Sequence, residues 1–335
     1  MDFLKKKLNP ACYQGIGNNS QHFEGWYFKV VDKDQQNLYA IIPGVFIDKN
    51  KTDSHSFIQI FNGVNNKTYY YRFPIEDFQS KGYDFNIQIN SNSFSLNTLF
   101  LDLRSSSLII NGELNFENLI QWPKTFVSPG IMGWYTWIPF MECYHGIISL
   151  NHKIQGYLKI NGHDIDFSNG KGYTEKDWGK SFPEAWLWCQ SNHFHTENVS
   201  FTGSIAIIPW IKKPFLGFIF GLWHKNKLYR FTTYTGAKLI HLEMEESQIK
   251  SILEQKNLTL EIIINRSNGG FLTAPTINGM THQISESMKS TVEIKLSKKS
   301  IIKSETVFKD TGRHTGFEIT GDVKRLIEMY KNLKS

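Results

Sequence analysis

Carboxylates, indoles and amides are concentrated in one short stretch of the chain, EKDWGKSFPEAWLWCQSNHF, which runs from Glu175 to Phe194. In an extended strand, alternate side chains point to opposite faces. One face of the second half would then carry a carboxylate, two indoles and two amides, which are Glu184, Trp186, Trp188, Gln190 and Asn192. Buried polar groups need hydrogen-bond partners, so this face is more typical of a ligand cavity than of a dry core. The alternative is that the indoles fill a core and the polar groups satisfy the backbone at the end of a barrel.

The residues around the start of this stretch form a second pattern, GYTEKDWG. Strand alternation places Tyr173, Glu175 and Asp177 on one face, with Lys176 and Trp178 on the other. Two nearby carboxyl groups raise each other's pKa, which is one way to keep an acid protonated at neutral pH. Glu175 and Asp177 are therefore candidate proton donors, and Tyr173 and Trp178 are candidate substrate contacts. The alternative is a hydrogen-bonded turn in which Lys176 pairs with Asp177.

A third group of polar and aromatic residues, FMECYHG, contains Glu142, Tyr144 and His145 as further candidate substrate contacts. The aromatic run that precedes it, from Trp134 to Phe140, is consistent with a lid or with a loop that touches a membrane, because Trp and Tyr favour the membrane–water interface. We favour the alternative, a packed aromatic loop.

Sequence signatures of other chemistries are missing. His193 and His195 have no acidic or Cys ligand around them at the spacing of a structural metal site. Ser181 and Ser191 lack the G-x-S-x-G context of a nucleophile elbow, and the sequence contains no Walker loop or dinucleotide fingerprint. We therefore expect neither a metal ion nor an organic cofactor.

The composition is that of an ordinary globular protein of 335 residues, with 40% hydrophobic and 20% charged side chains. Aromatic residues make up 14%, which favours a strand-rich architecture. The net charge of +6 comes from scattered Lys and Arg, so nucleic acid is not an expected partner. We find no signal peptide or transmembrane pattern, and the three cysteines indicate reduced thiols. We expect a cytoplasmic protein, with contact to an anionic membrane surface left open.

Short alternating segments bounded by Gly, Asn, Asp or Pro recur along the chain, which predicts an antiparallel all-β protein. Only the tail, VKRLIEMYKNLK, has helical spacing. Three words recur in the same order: FEGWYF and PEAWLW, AIIPG and AIIPW, and YRF twice. We interpret this as a duplication, with one up-and-down barrel over residues 1–168 and a second over residues 169–335. Glu24 and Trp26 would then correspond to Glu184 and Trp186, which adds both to the candidate site.

These motifs resemble one known family. FEGWYFKV, FMECYHGIISLNHKIQG and GKGYTEKDWGKSFPEAWLWCQSNHF are similar to segments of the tocopherol cyclase family, and the resemblance extends from about Phe23 to about Gly321. It implies two lipocalin-like barrels in tandem and an enzyme that closes a ring on a prenylated hydroquinone without an organic cofactor. More distantly, the family resembles carotenoid hydratases and Diels–Alderases built from two such barrels.

The resemblance leads to a hypothesis in which a protonated carboxyl group delivers H⁺ to an alkene of an isoprenoid and a phenolic oxygen traps the cation. The candidate proton donors are Glu24, Glu175, Asp177 and Glu184. The indoles that would face the cation are Trp26, Trp186 and Trp188. The groups that would orient the phenol are Tyr173, Gln190 and Asn192. Two alternatives stay open: a carrier that binds an isoprenoid or acyl chain without chemistry, and a hydratase or isomerase acting on an isoprenoid.

Overall fold

The computed structural model describes residues 2–17, 20–276, 279–300 and 303–333. Within these ranges two α-helices, Asp2–Leu8 (α1) and Val323–Asn332 (α2), accompany a fold made mostly of antiparallel β-strands. The predicted all-β class with a C-terminal helix is confirmed. None of the helices in the described ranges is long and apolar enough to cross a lipid bilayer.

The first of two compact units consists of Met1–Phe182 and Phe271–Gln283. Its main strands are β1 (His22–Val31), β2 (Leu38–Ile47), β3 (His55–Asn62), β4 (Lys67–Pro74), β5 (Phe78–Ser80), β6 (Asn86–Ile89), β7 (Asn92–Ser95), β8 (Thr98–Arg104), β9 (Ile109–Ile120), β10 (Cys143–Ile160), β11 (His163–Asp166) and β12 (Gly170–Gly179). They form one sheet in the order β4-β3-β2-β1-β12-β10-β9-β8-β7-β6-β5, with β11 paired to β10.

The second unit consists of Pro183–Gly270 and Ile284–Ser335. The strands of the second sheet are β13 (Ala185–Ser191), β14 (Ser200–Ile208), β15 (Phe215–His224), β16 (Lys227–Thr232), β17 (Lys238–Met244), β18 (Gln248–Gln255), β19 (Leu258–Asn265), β20 (Gly270–Thr276), β21 (Gly279–Lys299) and β22 (Ser304–Gly321). Their order is β16-β15-β14-β13-β22-β21-β19-β18-β17, with β20 paired to β21.

The two sheets curl for the same reason. In the first unit the edge strands β4 and β5 are consecutive in the chain and are joined by the 3₁₀ turn Ile75–Asp77. In the second unit the edge strands β16 and β17 are joined in the same way by Thr233–Thr235. A chain that passes directly from one edge of a sheet to the other brings the two edges together, which is the geometry of an up-and-down barrel.

The repeated sequence words occupy matching strands of the two units. FEGWYF and PEAWLW lie in or beside the first strands, β1 and β13, AIIPG and AIIPW begin in the second strands, β2 and β14, and both YRF words lie in the fourth strands, β4 and β16. The predicted duplication of one β-unit therefore corresponds to two sheets with a common strand sequence and a common closing turn.

The first pair of words differs in phase. Trp26 and Phe28 of β1 belong to the hydrophobic core of the first unit. In β13, Leu187 and Cys189 belong to the core of the second unit, so Trp186 points to the opposite face of its sheet. Trp26 and Trp186 match in sequence, but their side chains face the core in one unit and away from it in the other.

The division between the units lies further along the chain than residue 168, where the sequence-based boundary was placed. Strand β12 is hydrogen-bonded between β1 and β10 and completes the first sheet. Gln59 of β3 accepts a hydrogen bond from the main-chain N of Thr273 (2.9 Å) and donates one to its main-chain O (2.8 Å). These two hydrogen bonds attach the segment Phe271–Gln283 to the first unit.

Helix α2 provides a first test of the fold. Asp322 is its N-cap and accepts a hydrogen bond from the main-chain N of Arg325 at 3.0 Å, while Leu326 and Tyr330 pack into the core of the second unit. We expect Asp322→Ala to lower the free energy of unfolding by about 1 kcal/mol, because one main-chain donor loses its acceptor. Asp322→Asn keeps an acceptor and serves as the control. Urea denaturation followed by circular dichroism measures both, and equal loss in the two variants would contradict the cap.

Candidate active site

Strands β1 and β12 place a buried ion pair inside the first barrel. Their antiparallel register sets Glu24 opposite Trp178 and Trp26 opposite Lys176, so all four side chains share the face that carries the core. Lys176 Nζ lies 2.5 Å from Glu24 Oε2, and neither side chain is exposed to solvent. The indoles of Trp26 and Trp178 lie beside the ammonium group, with ring centroids 4.5 and 4.8 Å from Nζ.

The segment before β1 completes this polar centre with main-chain groups. Lys176 Nζ donates to the main-chain O of Cys12 (2.5 Å), and the main-chain N of Gln14 donates to Glu24 Oε1 (2.7 Å). The indole of Trp26 donates to the main-chain O of Ala11 (2.8 Å). A buried charge is tolerated when it is paired and hydrogen-bonded, and here three hydrogen bonds, at residues 11, 12 and 14, tie the N-terminal segment to the barrel.

Glu24 is consequently held as a carboxylate. Burial by itself would raise its pKa, but the positive charge of Lys176 and the hydrogen bond with His22, 2.7 Å from Oε1, lower the pKa below its ordinary value. Burial lowers the pKa of Lys176, and the negative charge of Glu24 counteracts that effect. Although Glu24 was a candidate proton donor, its surroundings favour the ionised form.

The opposite face of the same strands carries a second polar group, which we call the Tyr–Glu–His–Asp chain: Tyr173, Glu175, His145 and Asp177. The hydroxyl of Tyr173 donates to Glu175 Oε2. His145 of β10 lies directly across from Asp177 of β12, with 2.9 Å between Nδ1 and Asp177 Oδ1. Its Nε2 lies 3.7 Å from Glu175 Oε2. The sequence predicted the common face of the three β12 residues, and the structure adds His145 to them.

Solvent exposure decreases from Asp177 to Tyr173 within the Tyr–Glu–His–Asp chain. The side chain of Asp177 is 26% exposed and that of His145 is 17% exposed, whereas that of Glu175 is 6% exposed. Tyr173 is fully buried. An imidazole between two carboxyl groups can pass a proton from the accessible one to the buried one. The arrangement is therefore suited to recharging a buried acid from solvent.

His145, Glu175 and Asp177 also offer ligand atoms within 4.8 Å of one another, as a metal site would. However, Nδ1 of His145 faces Asp177, whereas Nε2 faces Glu175. An ion bound to one of these nitrogens would lie on the side of the ring away from the other carboxyl group. This geometry fits proton transfer better than chelation. The expectation of no metal ion remains a prediction.

Two neighbours on β1 border this chain, and the sequence patterns did not single them out. Tyr27 lies directly opposite Glu175, and Lys29 lies directly opposite Tyr173. Both side chains are buried, Lys29 completely. The odd-numbered residues of β1 lie on the face that carries the Tyr–Glu–His–Asp chain, whereas the repeated sequence motif contains the even-numbered Glu24 and Trp26.

In the second unit, the predicted face of β13 is present and lies opposite the core. Trp186, Trp188 and Gln190 are buried, as is Asn192, which follows the strand. The indole of Trp186 donates to Glu318 Oε2 of the neighbouring strand β22 at 2.9 Å. Buried indoles and amides on this face agree with the alternation read from the sequence, but Glu318 carried no sequence signal. The assignment of these side chains to substrate binding stays a prediction.

Three other candidates lie apart from the Tyr–Glu–His–Asp chain. Glu184 precedes β13 and pairs with Arg325 at 2.5 Å, with a side chain 42% exposed. Tyr144 lies on the face of β10 that carries the ion pair, where its ring stacks on Trp178 with 5.5 Å between centroids. Glu142 lies just before β10, and its main-chain O accepts a hydrogen bond from the main-chain N of Lys180 at 2.8 Å.

Comparison with known proteins adds information on relatedness. The model of the family described as tocopherol cyclase-like matches residues 109–321, more than half of the chain. A protein of Oryza sativa subsp. japonica named "Probable tocopherol cyclase, chloroplastic" is 29% identical over 154 residues, which is 43% of this chain and 32% of that protein. The Zea mays "Tocopherol cyclase, chloroplastic" is 25% identical over 199 residues, 56% of this chain and 41% of that protein. The chain thus spans less than half the length of either plant relative.

Among solved structures, CghA has a similar fold. Its crystal structure superposes with a TM-score of 0.52 at 10% sequence identity, covering 90% of this chain and 89% of CghA. The structure of CghA with Sch210972 gives a TM-score of 0.50 over the same shares of the two chains. At this identity the similarity concerns the fold, and it supports the tandem lipocalin-like architecture.

The buried ion pair generates a second prediction. Lys176→Met keeps the side-chain volume but leaves the Glu24 carboxylate buried without its counter-charge, which we expect to cost about 3–5 kcal/mol of unfolding free energy. The double variant Glu24→Gln/Lys176→Met removes both charges and should recover most of that loss. Urea denaturation of the wild type, both single variants and the double variant gives the coupling energy, and additive losses would contradict a coupled pair.

The stability of the wild type and that of the double variant should also depend differently on pH. Because the folded-state pKa of Glu24 lies below its ordinary value of 4.5, its stabilising contribution is complete above that pH and is lost as the pH falls through the folded-state pKa. Acid unfolding should therefore be steeper in the wild type than in the double variant below about pH 4.5. Parallel acid-unfolding curves for the two proteins would contradict this linkage.

Proposed function

The chain belongs to the tocopherol cyclase-like family, and from that premise we propose that it is a cofactor-independent cyclase that acts on a prenylated phenol or a related isoprenoid. The observation that carries the proposal is the Tyr–Glu–His–Asp chain. It joins a carboxyl group shielded from water to a hydroxyl and an imidazole that can exchange protons with it.

The proposed reaction is an isomerisation that needs no oxidant or reductant. The proton of the Glu175 carboxyl group adds to one alkene carbon of the prenyl chain, which leaves a tertiary cation on the other carbon and a carboxylate on the protein. The phenolic oxygen then attacks the cation and forms the new C–O bond. The phenolic proton is released, and a proton returns to Glu175, so the atoms of substrate and product balance.

Glu175 is the best of the four carboxyl groups for this role. Glu24 is committed to Lys176 as an ion-paired carboxylate, and Glu184 is an accessible partner of Arg325. A cation formed next to Glu175 needs protection from water, because water would capture it before the phenol. Glu175 itself is shielded, and the accessible Asp177 is better placed to collect a proton than to deliver it to an alkene.

His145 has the task of returning the proton. In the tautomer with H on Nε2, Nδ1 can take a proton from Asp177 while Nε2–H gives its own proton to Glu175, so the imidazole relays one proton from the accessible to the shielded carboxyl group. Tyr173 orients the Glu175 carboxyl group through its hydrogen bond. The ring of Tyr27, opposite Glu175 on β1, offers an electron-rich surface near the developing positive charge.

The third prediction tests Glu175 directly. We expect Glu175→Gln to lower kcat on a prenylated quinol by at least about 100-fold, because the amide cannot donate the proton, while the Kd for the same quinol changes little. Glu117→Gln, at an exposed carboxylate of β9, is the matched control and should keep full activity. Product formation is measured by chromatography with mass spectrometry. In D₂O the wild-type chromanol should carry one carbon-bound deuterium at the protonated alkene carbon.

The outcomes separate the candidate functions. Full activity in Glu175→Gln would remove this residue from the mechanism. Tight quinol binding by the wild type without any product would favour a carrier, and a product heavier by one water would favour a hydratase. Asp177→Asn should also lose turnover, because the returning proton no longer has its entry point, and the loss should increase as the pH rises and solvent protons become scarce.

A further inference from the structure

Several large apolar side chains are exposed in the connection between β9 and β10, residues 121–142. We call it the aromatic loop. Four of its large apolar side chains are exposed to solvent: Phe126 by 66%, Val127 by 70%, Trp134 by 41% and Phe140 by 48%. Single exposed apolar side chains are common on soluble proteins, but several in one connection mark a surface that meets another phase or partner.

The aromatic loop is anchored to the first unit. Trp122, Ile131, Met132 and Met141 are buried. The indole of Trp137 donates to the main-chain O of Phe126 at 3.1 Å, and the two rings lie 5.3 Å apart. The exposed side chains are thus presented on a fixed base, so little ordering entropy opposes their insertion into another phase.

The aromatic loop carries two charged side chains, Lys124 and, at its C-terminal end, Glu142. From Gln121 to Met141 the chain contains no Asp or Glu, and Lys124 is its single charged residue. The residues before β1 lie alongside: Asn9, Pro10 and Ala11 line a cavity of about 280 Å³ together with Gln121, Lys124 and the carboxylate Asp84. Basic and apolar groups therefore occur side by side, with Glu142 at the end of the loop and Asp84 in the cavity wall as neighbouring carboxylates.

Helix α1 extends the same combination. It carries three consecutive lysines, Lys5, Lys6 and Lys7, between Leu4 and Leu8, which are 43% and 37% exposed. The ammonium group of Lys7 lies 4.5 Å from the ring centroid of Tyr144, and the Tyr144 hydroxyl donates to the main-chain O of Ile138 in the aromatic loop. Helix and loop are therefore close neighbours.

We propose that the aromatic loop and α1 together form a docking surface for a lipid bilayer that contains anionic phospholipids. Trp and Phe side chains insert at the level of the headgroups and upper acyl chains. The exposed Lys5 is attracted by the negative surface potential of anionic lipids by about 1 kcal/mol, whereas Lys6 is held by the main-chain O atoms of Gln14 and Ile16 and Lys7 by the ring of Tyr144. An anionic lipid surface matches this combination, because it accepts the exposed apolar side chains by insertion and attracts the exposed Lys5.

This proposal is independent of the catalytic one, and the experiment reflects that. The full chain is sedimented with extruded vesicles of phosphatidylcholine alone and of phosphatidylcholine with about 30% phosphatidylserine, in the absence of any quinol. We expect binding to the mixed vesicles that weakens as the salt concentration rises, and weaker binding to the neutral vesicles. The change Phe126→Ser/Val127→Ser should lower the partition coefficient at least about tenfold for both vesicle types, because two inserted side chains are lost.

Matched variants separate the apolar and the charged contributions. Lys5→Glu should reduce binding to the mixed vesicles and leave binding to the neutral ones unchanged. Phe271→Ser removes a ring that is 60% exposed outside the aromatic loop, and it should bind both vesicle types as the wild type does. All the changed residues named here are exposed, and a thermal melt of each variant verifies that it is folded.

Three results would overturn the proposal. In the first, the wild type remains in the supernatant with both vesicle types. In the second, Phe126→Ser/Val127→Ser binds as the wild type does. In the third, analytical ultracentrifugation would show a self-associated wild type that the same double change converts to a monomer, with no effect of vesicles. That result would assign the surface to a second copy of the chain.

Discussion

The ion pair between Glu24 and Lys176 fixes the phase of the strands on which the candidate site depends. With Lys176 inside the barrel, its neighbours Glu175 and Asp177 must point to the other face of β12. A slip of one residue would bury two carboxyl groups in an apolar core and separate the ammonium group of Lys176 from Glu24. The Glu24–Lys176 ion pair on the core face thereby sets the direction in which Glu175 and Asp177 point on the other face, although the two groups share no side chain.

Two chemically different carboxyl groups arise from this division within a few residues. Glu24 is surrounded by the positive charge of Lys176, the imidazole of His22 and the main-chain N–H of Gln14, which favour a permanent anion. Glu175 is surrounded by a hydroxyl and an imidazole, which can each change their hydrogen-bonding role. The same residue type thus serves architecture on one face of the sheet and, in the proposed reaction, proton transfer on the other.

The sequence was sufficient for the fold class, the duplication and the alternation within single strands, because these are local or repeated patterns. It was insufficient for partners across strands. Nothing in GYTEKDWG indicates that Lys176 meets Glu24 rather than Asp177, since the pairing of β1 with β12 joins residues far apart in the chain. The phase difference between Trp26 and Trp186 was hidden for the same reason: the words match, but the core lies on opposite sides.

The clamp between Gln59 and Thr273 means that the first unit is assembled from two distant parts of the polypeptide. During synthesis, the ribosome has to produce the greater part of the second sheet before the segment that Gln59 holds becomes available. The first barrel therefore leaves the ribosome incomplete, with the amide of Gln59 hydrated, and matures only after translation has passed residue 283. The first unit is thus begun before the second and is finished while the last part of the second, from Ile284 onward, is still to be made.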